Sequence, residues 1–150
     1  MTNKLREFLS EYDAQKHATD VGTQMHEMLR RIRTLDDCDK VDSELKSHLK
    51  SVPGLDVFFT ESARTEVPIA GIVNGAFVSR RIDRLVIDDE HKVVRVLDYK
   101  TDIDKTVYRD KYNYQLSEYI KLIRQIYPDY RIESSILWLH DWTLEKIQII

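Results

Sequence analysis

Apolar residues recur along this chain with helical spacing in some stretches and strand-like alternation in others. Val21, Met25, Met28, Leu29 and Ile32 fall three and four residues apart and predict a helix from an Asp20 N-cap to about Leu35. Leu5, Phe8 and Leu9 predict a short helix over Asn3–Tyr12. Val41, Leu45 and Leu49 predict a peripheral one within Asp36–Lys50, ended by Pro53-Gly54. Leu116, Ile120, Ile123 and Ile126 mark the core face of a long helix from about Tyr108 to Tyr127, closed by Pro128.

Between these helices the pattern changes. Asp56–Phe59 and Arg64–Ile69 read as extended, with Pro68 pointing to a sheet edge or strand end, and Asn74-Gly75 is a strong turn signal. Phe77–Ile87 carries Val78, Ile82 and Val86 in a charged run, and Val93–Tyr99 is rich in β-branched residues. Asp88-Asp89-Glu90-His91 separates them as a hairpin connection. Ser134–Leu139 and Lys146–Ile150 predict the last strands, with Asp141-Trp142-Thr143 as their turn. The order implies an α/β (α+β) domain over residues 1–150: a mixed central β-sheet flanked by helices, with a crossover from the Val93–Lys100 strand through the long helix.

Composition narrows the class. The chain has 150 residues, a net charge of −3 and one cysteine, Cys38, so it needs no disulfide framework and cannot supply four thiolates to zinc or an iron–sulfur cluster. Flanking acids in DDCDK argue that Cys38 is an incidental surface residue rather than a nucleophile. No apolar run has signal-peptide or membrane-span length, which leads to the expectation of a cytoplasmic protein with no membrane partner. No GxxxxGK[ST] loop is present, so no ATPase motor resides here.

The candidate chemistry sits on the central hairpin. Asp98 and Lys100 share one face of their strand, and Tyr99 takes the other. With a four-residue connection, Ile87 pairs with Lys92 and Asp83 falls opposite Val96. Asp83 and Asp98 then become same-face diagonal neighbours roughly 7–8 Å apart, and a one-residue slip separates them. Two carboxylates about 5 Å apart repel by about 3 kcal/mol at an effective dielectric near 20 unless a cation joins them. Hard oxygen ligands suit Mg²⁺ or Mn²⁺, and such a cation polarises a phosphate oxygen and lowers the pKa of a bound water. Lys100 can hold that water or neutralise developing charge.

Spacing alone leaves alternatives open. The hairpin acids and lysine also fit an exposed salt-bridged surface. His26, on the edge of its helix stripe, fits either a hydrogen-bonded flank residue or a metal ligand over the sheet. Glu66 fits a solvated strand acid or a third acid near the site. Gln115 and Tyr119, four apart, fit core packing or a pair aimed at the preceding strand.

The order of motifs resembles the PD-(D/E)XK nuclease superfamily. The likeness is to its RecB-like nuclease domain, and most of all to the C-terminal nuclease domain of AddA-type helicase-nucleases. It rests on GTQMHEMLRRI (Gly22–Ile32), TEVPI (Thr65–Ile69), SRRIDRL (Ser79–Leu85), VLDYKTD (Val96–Asp102), YNYQLSEY (Tyr112–Tyr119) and ILWLHD (Ile136–Asp141). The resemblance implies a restriction-endonuclease-like core. It makes His26, Asp83, Asp98 and the Tyr99 carbonyl the ligands of Mg²⁺ or Mn²⁺, and Asp83, Asp98 and Lys100 the catalytic set. Gln115 and Tyr119 match its Q-x-x-x-Y motif and, with Arg84, are expected to position DNA; Glu66 matches a strand acid of uncertain role. Ile82 stands where the superfamily's name has proline. With its single cysteine the chain resembles the cluster-free AddA and RecB side rather than AddB or the CRISPR-adaptation nucleases, which carry four cysteines for an iron–sulfur cluster.

The implied function is metal-dependent DNA cleavage, exonuclease or endonuclease, in double-strand break repair and recombination. Single-stranded ends are the expected substrate, with Tyr108, Tyr112 and Tyr114 available for base stacking. A helicase portion or AddB-like subunit is the expected partner. A silent DNA-binding or recombinase-docking module and a structure-specific resolvase are the rival readings.

Overall fold

The structure, a computed structural model, describes residues 22–36 and 43–147. The helix expected over Asn3–Tyr12, the Asp20 cap and Cys38 lie outside these residues.

Helix α1 (22–30) is followed by a turn and a single 3₁₀ step at 35–36, so it stops short of the expected Leu35. Helix α2 (Ser43–Ser51) buries Leu45 and Leu49, two members of the predicted stripe. Asp56–Phe58, expected to be extended, is instead a 3₁₀ turn, with Phe58 N–H donating to Leu55 O (3.0 Å) and Phe59 N–H to Asp56 O (3.1 Å). The reason lies in the two phenylalanines: Phe58 and Phe59 are both buried in the same core cluster, whereas neighbours on a strand point to opposite faces.

The rest is a five-stranded mixed sheet in sequential order, β1 (Ala63–Val73), β2 (Ala76–Asp88), β3 (Val93–Lys100), β4 (Arg131–Trp138) and β5 (Thr143–Ile147). All neighbours are antiparallel except β3 and β4, which run parallel and are joined through helix α3 (Arg109–Ile126). Asn74 (φ 51°) and Gly75 (φ 80°) make the left-handed two-residue turn that closes β1 on β2. Pro68 sits on β1, at the sheet edge as expected, where a missing N–H costs least.

The sheet has a core on each face. On one, α1, α2 and the 3₁₀ turn bring Leu29, Ile32, Leu49, Leu55 and Phe58 against Val86, Leu97, Tyr99 and Leu137. On the other, α3 brings Leu116, Tyr119, Leu122 and Ile123 against Ile82, Val94, Val96, Ile136 and Trp138. Helix, sheet and helix thus form the layers.

Two features of β1–β3 fix the site. First, Ile87 pairs with Val94 rather than Lys92, and Asp88 pairs with Val93. Asp88, expected inside the connection, instead ends β2 and caps the turn by accepting from His91 N–H (3.0 Å). The expected register is therefore wrong by two residues. Because side chains alternate with a period of two, that shift keeps Asp83 on the face it shares with Asp98 and brings the two directly opposite each other, one step beyond the last ladder pair, Arg84 and Leu97.

Second, the pairing of β1 with β2 skips one row, going from Thr65 and Arg84 to Val67 and Ile82. The missing row is Glu66 and Asp83, and Glu66 is held at φ 52°. Strand alternation breaks there on both strands. Ala63 packs with the α1 core but Ile69 and Val73 with the α3 core; Val86 packs with the α1 core but Val78 and Ile82 with the α3 core. Val78, Ile82 and Val86, spaced in the sequence as one apolar stripe, serve two faces.

Candidate active site

At this break lies a cleft of about 530 Å³ lined by Gly22, His26, Glu66, Arg81, Asp83, Asp98, Tyr99, Lys100, Asp102, Tyr112, Gln115 and Tyr119. Its floor is the open end of the β2–β3 ladder. Its walls are α1, which carries His26, and α3, which carries Gln115 and Tyr119.

Each wall grips one acid–base pair. His26 Nδ1 lies 2.7 Å from Gly22 O and Nε2 lies 3.2 Å from Asp83 Oδ2. A carbonyl only accepts, so Nδ1 carries a proton; the carboxylate also only accepts, so Nε2 carries one too. His26 is therefore an imidazolium. Its pKa is raised to about 9, first by the hydrogen bond to Asp83, against the opposing effect of burial. Burial pushes Asp83 up, yet the bond from His26 and that from Tyr99 N–H (2.9 Å) hold it below the ordinary carboxylate range.

Asp98 has the opposite fate. It is 3% exposed, and burial followed by the charge of Asp83 pushes its pKa up to about 7, with Lys100 opposing. The Lys100 ammonium stands 2.8 Å from Asp98 Oδ2 but off the line of a hydrogen bond, so that oxygen is buried, ion-paired and without a hydrogen-bond donor. Two facing carboxylates thus have ionisation ranges driven apart by their surroundings.

On the α3 side a relay holds the lysine. Lys100 Nζ donates to Gln115 Oε1 (3.0 Å), Gln115 Nε2 donates to Tyr119 Oη (2.9 Å), and Tyr119 donates to Arg81 O (3.0 Å). The four-residue spacing of Gln115 and Tyr119 puts both on the side of α3 that meets the strands.

The donor set fits a hard divalent cation. Asp83 and Asp98 face each other, and Asp98 Oδ2 is a buried oxygen lacking a donor. Tyr99 N–H points to Asp83, which puts the Tyr99 carbonyl on that same open side of β3, since both groups of a strand residue face one neighbour. Among the described residues, however, no three His, Cys, Asp or Glu side chains converge in metal-holding geometry. His26, Asp83, Asp98 and Lys100 are instead joined in internal ion pairs, and a cation held there would require His26 to release Asp83 and to lose its Nε2 proton.

The remaining expected site residues divide. Glu66 lines the cleft and lies 3.8 Å from Arg81 as an ion pair. Arg84, expected to position DNA, is fully buried on the opposite face and cannot reach a substrate. Its guanidinium stacks over Phe59 at 3.9 Å and donates to Phe58 O (3.0 Å), Leu29 O (3.0 Å), Arg33 O (3.4 Å), Ile32 O and Tyr99 Oη (2.8 Å). The carbonyls at the end of α1 carry negative partial charge, which suits a buried cation. Tyr108 and Tyr114 are solvent-exposed, at 39% and 65%, but Tyr112 is half-buried beside Lys100. Tyr112, expected only to stack on bases, has its ring 4.2 Å from the Lys100 ammonium and its hydroxyl bonded to Asp102, a placement consistent with its position three residues before Gln115 on the same helical face.

No protein-family model matches the chain, and no curated protein matches it. No helix among the described residues is long and apolar enough to cross a membrane.

Proposed function

We propose that the chain is a RecB-like nuclease domain of the PD-(D/E)XK type with a restriction-endonuclease-like core, hydrolysing DNA phosphodiesters with Mg²⁺ or Mn²⁺. The observation that carries the reading is the meeting of Asp83 with Asp98 across β2 and β3, beside a lysine held 2.8 Å from Asp98. Asp83, Asp98, the Tyr99 carbonyl and His26 would hold the cation. When bound, it supplies a water of lowered pKa and a counter-charge for the phosphate.

The other roles belong to the chain itself. Lys100 places a fixed positive charge at the mouth of the acid pair, where it meets the scissile phosphate and the attacking water. Gln115 and Tyr119 fix that charge in space. Arg81, 70% exposed at the cleft, offers the backbone of a nucleic acid its charge, and Tyr108 and Tyr114 offer ring faces to unpaired bases. Strand feeding in break repair would come from an AddA-like helicase portion or an AddB-like partner.

Cleavage of end-labelled single-stranded DNA in Mn²⁺ by the wild-type chain, abolished in Asp98→Ala with unchanged circular dichroism, is the expected result. Equal cleavage by that variant overturns the assignment.

The internal ion pairs favour a second reading, a catalytically silent DNA-binding module of the same fold, because both carboxylates are already neutralised by His26 and Lys100. Calorimetric titration with Mn²⁺ separates the two. Heat of binding that vanishes in Asp83→Ala supports the nuclease, and no heat in the wild type supports the module.

A further inference from the structure

Lys100 has a neighbour that neither the acid pair nor the Gln115 relay accounts for. Its ammonium sits 4.2 Å from the centroid of the Tyr112 ring, within cation–π range. With Asp98 Oδ2 at 2.8 Å and Gln115 Oε1 at 3.0 Å, the group has a carboxylate, an amide oxygen and an aromatic face around it. The ring is itself held. Its hydroxyl donates to Asp102, and its centroid lies 6.1 Å from that of the tilted Trp138 ring and 6.0 Å from that of Tyr108. Burial and then the Asp102 carboxylate push the phenol up from its ordinary value, so it stays protonated and donates.

The arrangement solves a problem posed by the lysine. A flexible four-carbon stem ending in a strongly hydrated charge does not stay in one place unless its surroundings define it. A third carboxylate would define it but would cancel the positive charge that a phosphate needs. A ring face attracts the ammonium through its quadrupole and adds no net charge. Asp102 is two residues past Lys100, at the start of the connection to α3, so the phenol bond also ties that connection back onto the helix.

We propose that Tyr112 is a positioning residue for Lys100: its ring face defines where the ammonium stands, and Asp102 defines where the ring stands. The catalytic consequence rests on the nuclease reading; the clamp itself does not.

The test uses the whole chain with Tyr112→Phe, Tyr112→Leu and Asp102→Ala, and two readouts. In the first, metal-free protein is labelled briefly with acetic anhydride, and each lysine is followed by peptide mass mapping, with the 65%-exposed Lys146 as internal reference. Lys100, 16% exposed, is expected to label slowly in the wild type, about tenfold faster in Tyr112→Leu, and at an intermediate rate in Tyr112→Phe, which keeps the ring but loses its bond to Asp102. Asp102→Ala is expected to fall between, and it decides the matter if Tyr112→Leu does not fold. Unchanged Lys100 labelling in the folded ring-less or unpinned variant overturns the proposal.

The second readout is cleavage of single-stranded DNA. Tyr112→Leu is expected to lose about tenfold in kcat with little change in KM, while Tyr112→Phe, with the ring but not its bond to Asp102, is expected to fall between it and the wild type. A raised KM with intact kcat overturns the proposal in favour of base stacking by Tyr112. A wild type that cleaves nothing yet protects Lys100 in the Tyr112-dependent way sinks the nuclease reading and leaves the clamp standing.

Discussion

Asp83 and Arg84 are adjacent in the chain and on opposite sides of the sheet: the acid opens into the cleft and the guanidinium is fully buried beneath Phe59. Neighbours on a strand must diverge in this way. Here the divergence lets β2 serve the site with one residue and bolt α1, which carries His26, with the next.

Arg84→Ala leaves the carbonyls of Leu29, Ile32, Arg33 and Phe58 and the Tyr99 hydroxyl without their donor. The expected loss is about 3–5 kcal/mol, since each buried orphan costs about 1–3 kcal/mol and the effects overlap. Arg84→Lys is expected to lose less but not to rescue, because an ammonium has fewer donors and no planar fork. Urea denaturation ranks the variants. A folded fraction of either that binds DNA more weakly than wild type would contradict the assignment of Arg84 to structure alone.

Asp98→Asn is expected to separate stability from activity. The native carboxylate is buried opposite Asp83, and one of its oxygens lacks a hydrogen-bond donor. An amide of the same shape removes the repulsion while Lys100 keeps Gln115 and Tyr112. A rise in Tm of about 2–4 °C in metal-free protein is expected, with cleavage lost by about 100-fold or more. A fall in Tm places the net balance of the Asp98–Lys100 pair on the stabilising side instead.

Much of this was readable in advance. Asn74-Gly75 announces its turn because few other dipeptides tolerate two left-handed residues, and Leu116, Ile120 and Ile123 announce α3 because burial on one face repeats with the turn, although Ile126 at the end of the stripe is 59% exposed. The register of β2 on β3 was not readable, since Asp88, Asp89, Glu90 and His91 all suit a turn. Only the bond from His91 N–H to Asp88 decides which of them ends the strand. The face switch at Glu66 and Asp83 was hidden for a related reason: Val78, Ile82 and Val86 keep the spacing of one face although a kink divides them. Arg84 was misplaced because a charged residue among charged residues reads as surface, and its partners are backbone carbonyls that leave no mark in the sequence.

His26 gives the metal-free protein a pH dependence. Its pKa in the folded state, about 9, is raised above the ordinary 6.5. A raised histidine contributes stability that is fully present below the unfolded pKa and is lost as pH rises through the folded one. Stability measured with chelator present is therefore expected to decline between about pH 6.5 and 9, and His26→Gln is expected to abolish that slope above about pH 7, below which Asp98 also titrates. A wild-type slope retained in His26→Gln would assign the titration elsewhere.

Gln115 and Tyr119 differ in what they lose. Gln115→Ala removes the acceptor of the Lys100 ammonium at a partly buried position, so kcat is expected to fall about 10–100-fold, the usual range for a group that orients a site residue, with a small effect on stability. Tyr119 is 1% exposed, and Tyr119→Phe keeps its packing while leaving Arg81 O without its donor and Gln115 Nε2 without its acceptor. It is expected to cost about 1–2 kcal/mol in stability and a smaller share of kcat. Steady-state kinetics beside urea denaturation checks both. A larger kcat loss for Tyr119→Phe than for Gln115→Ala reverses the order of the relay.

Glu66 stores strain in the row where the two strands change faces. At φ 52° an L-residue with a side chain is in the left-handed region, at a cost of about 1–2 kcal/mol that glycine escapes. Glycine brings its own entropic cost of about 0.5–1 kcal/mol, so Glu66→Gly is expected to stabilise the fold by about 0.5–1 kcal/mol. Glu66→Ala keeps the backbone cost and loses the ion pair with exposed Arg81, so it is expected to be neutral or slightly destabilising. The two variants delete the same carboxylate and differ in the backbone. If Glu66 acts in cleavage through its side chain, both lose activity alike; if the kink matters more than the acid, Glu66→Gly alone changes activity. Urea denaturation paired with single-turnover cleavage reads both quantities, and a Glu66→Gly variant less stable than Glu66→Ala would show that the positive φ is not a source of strain in this fold.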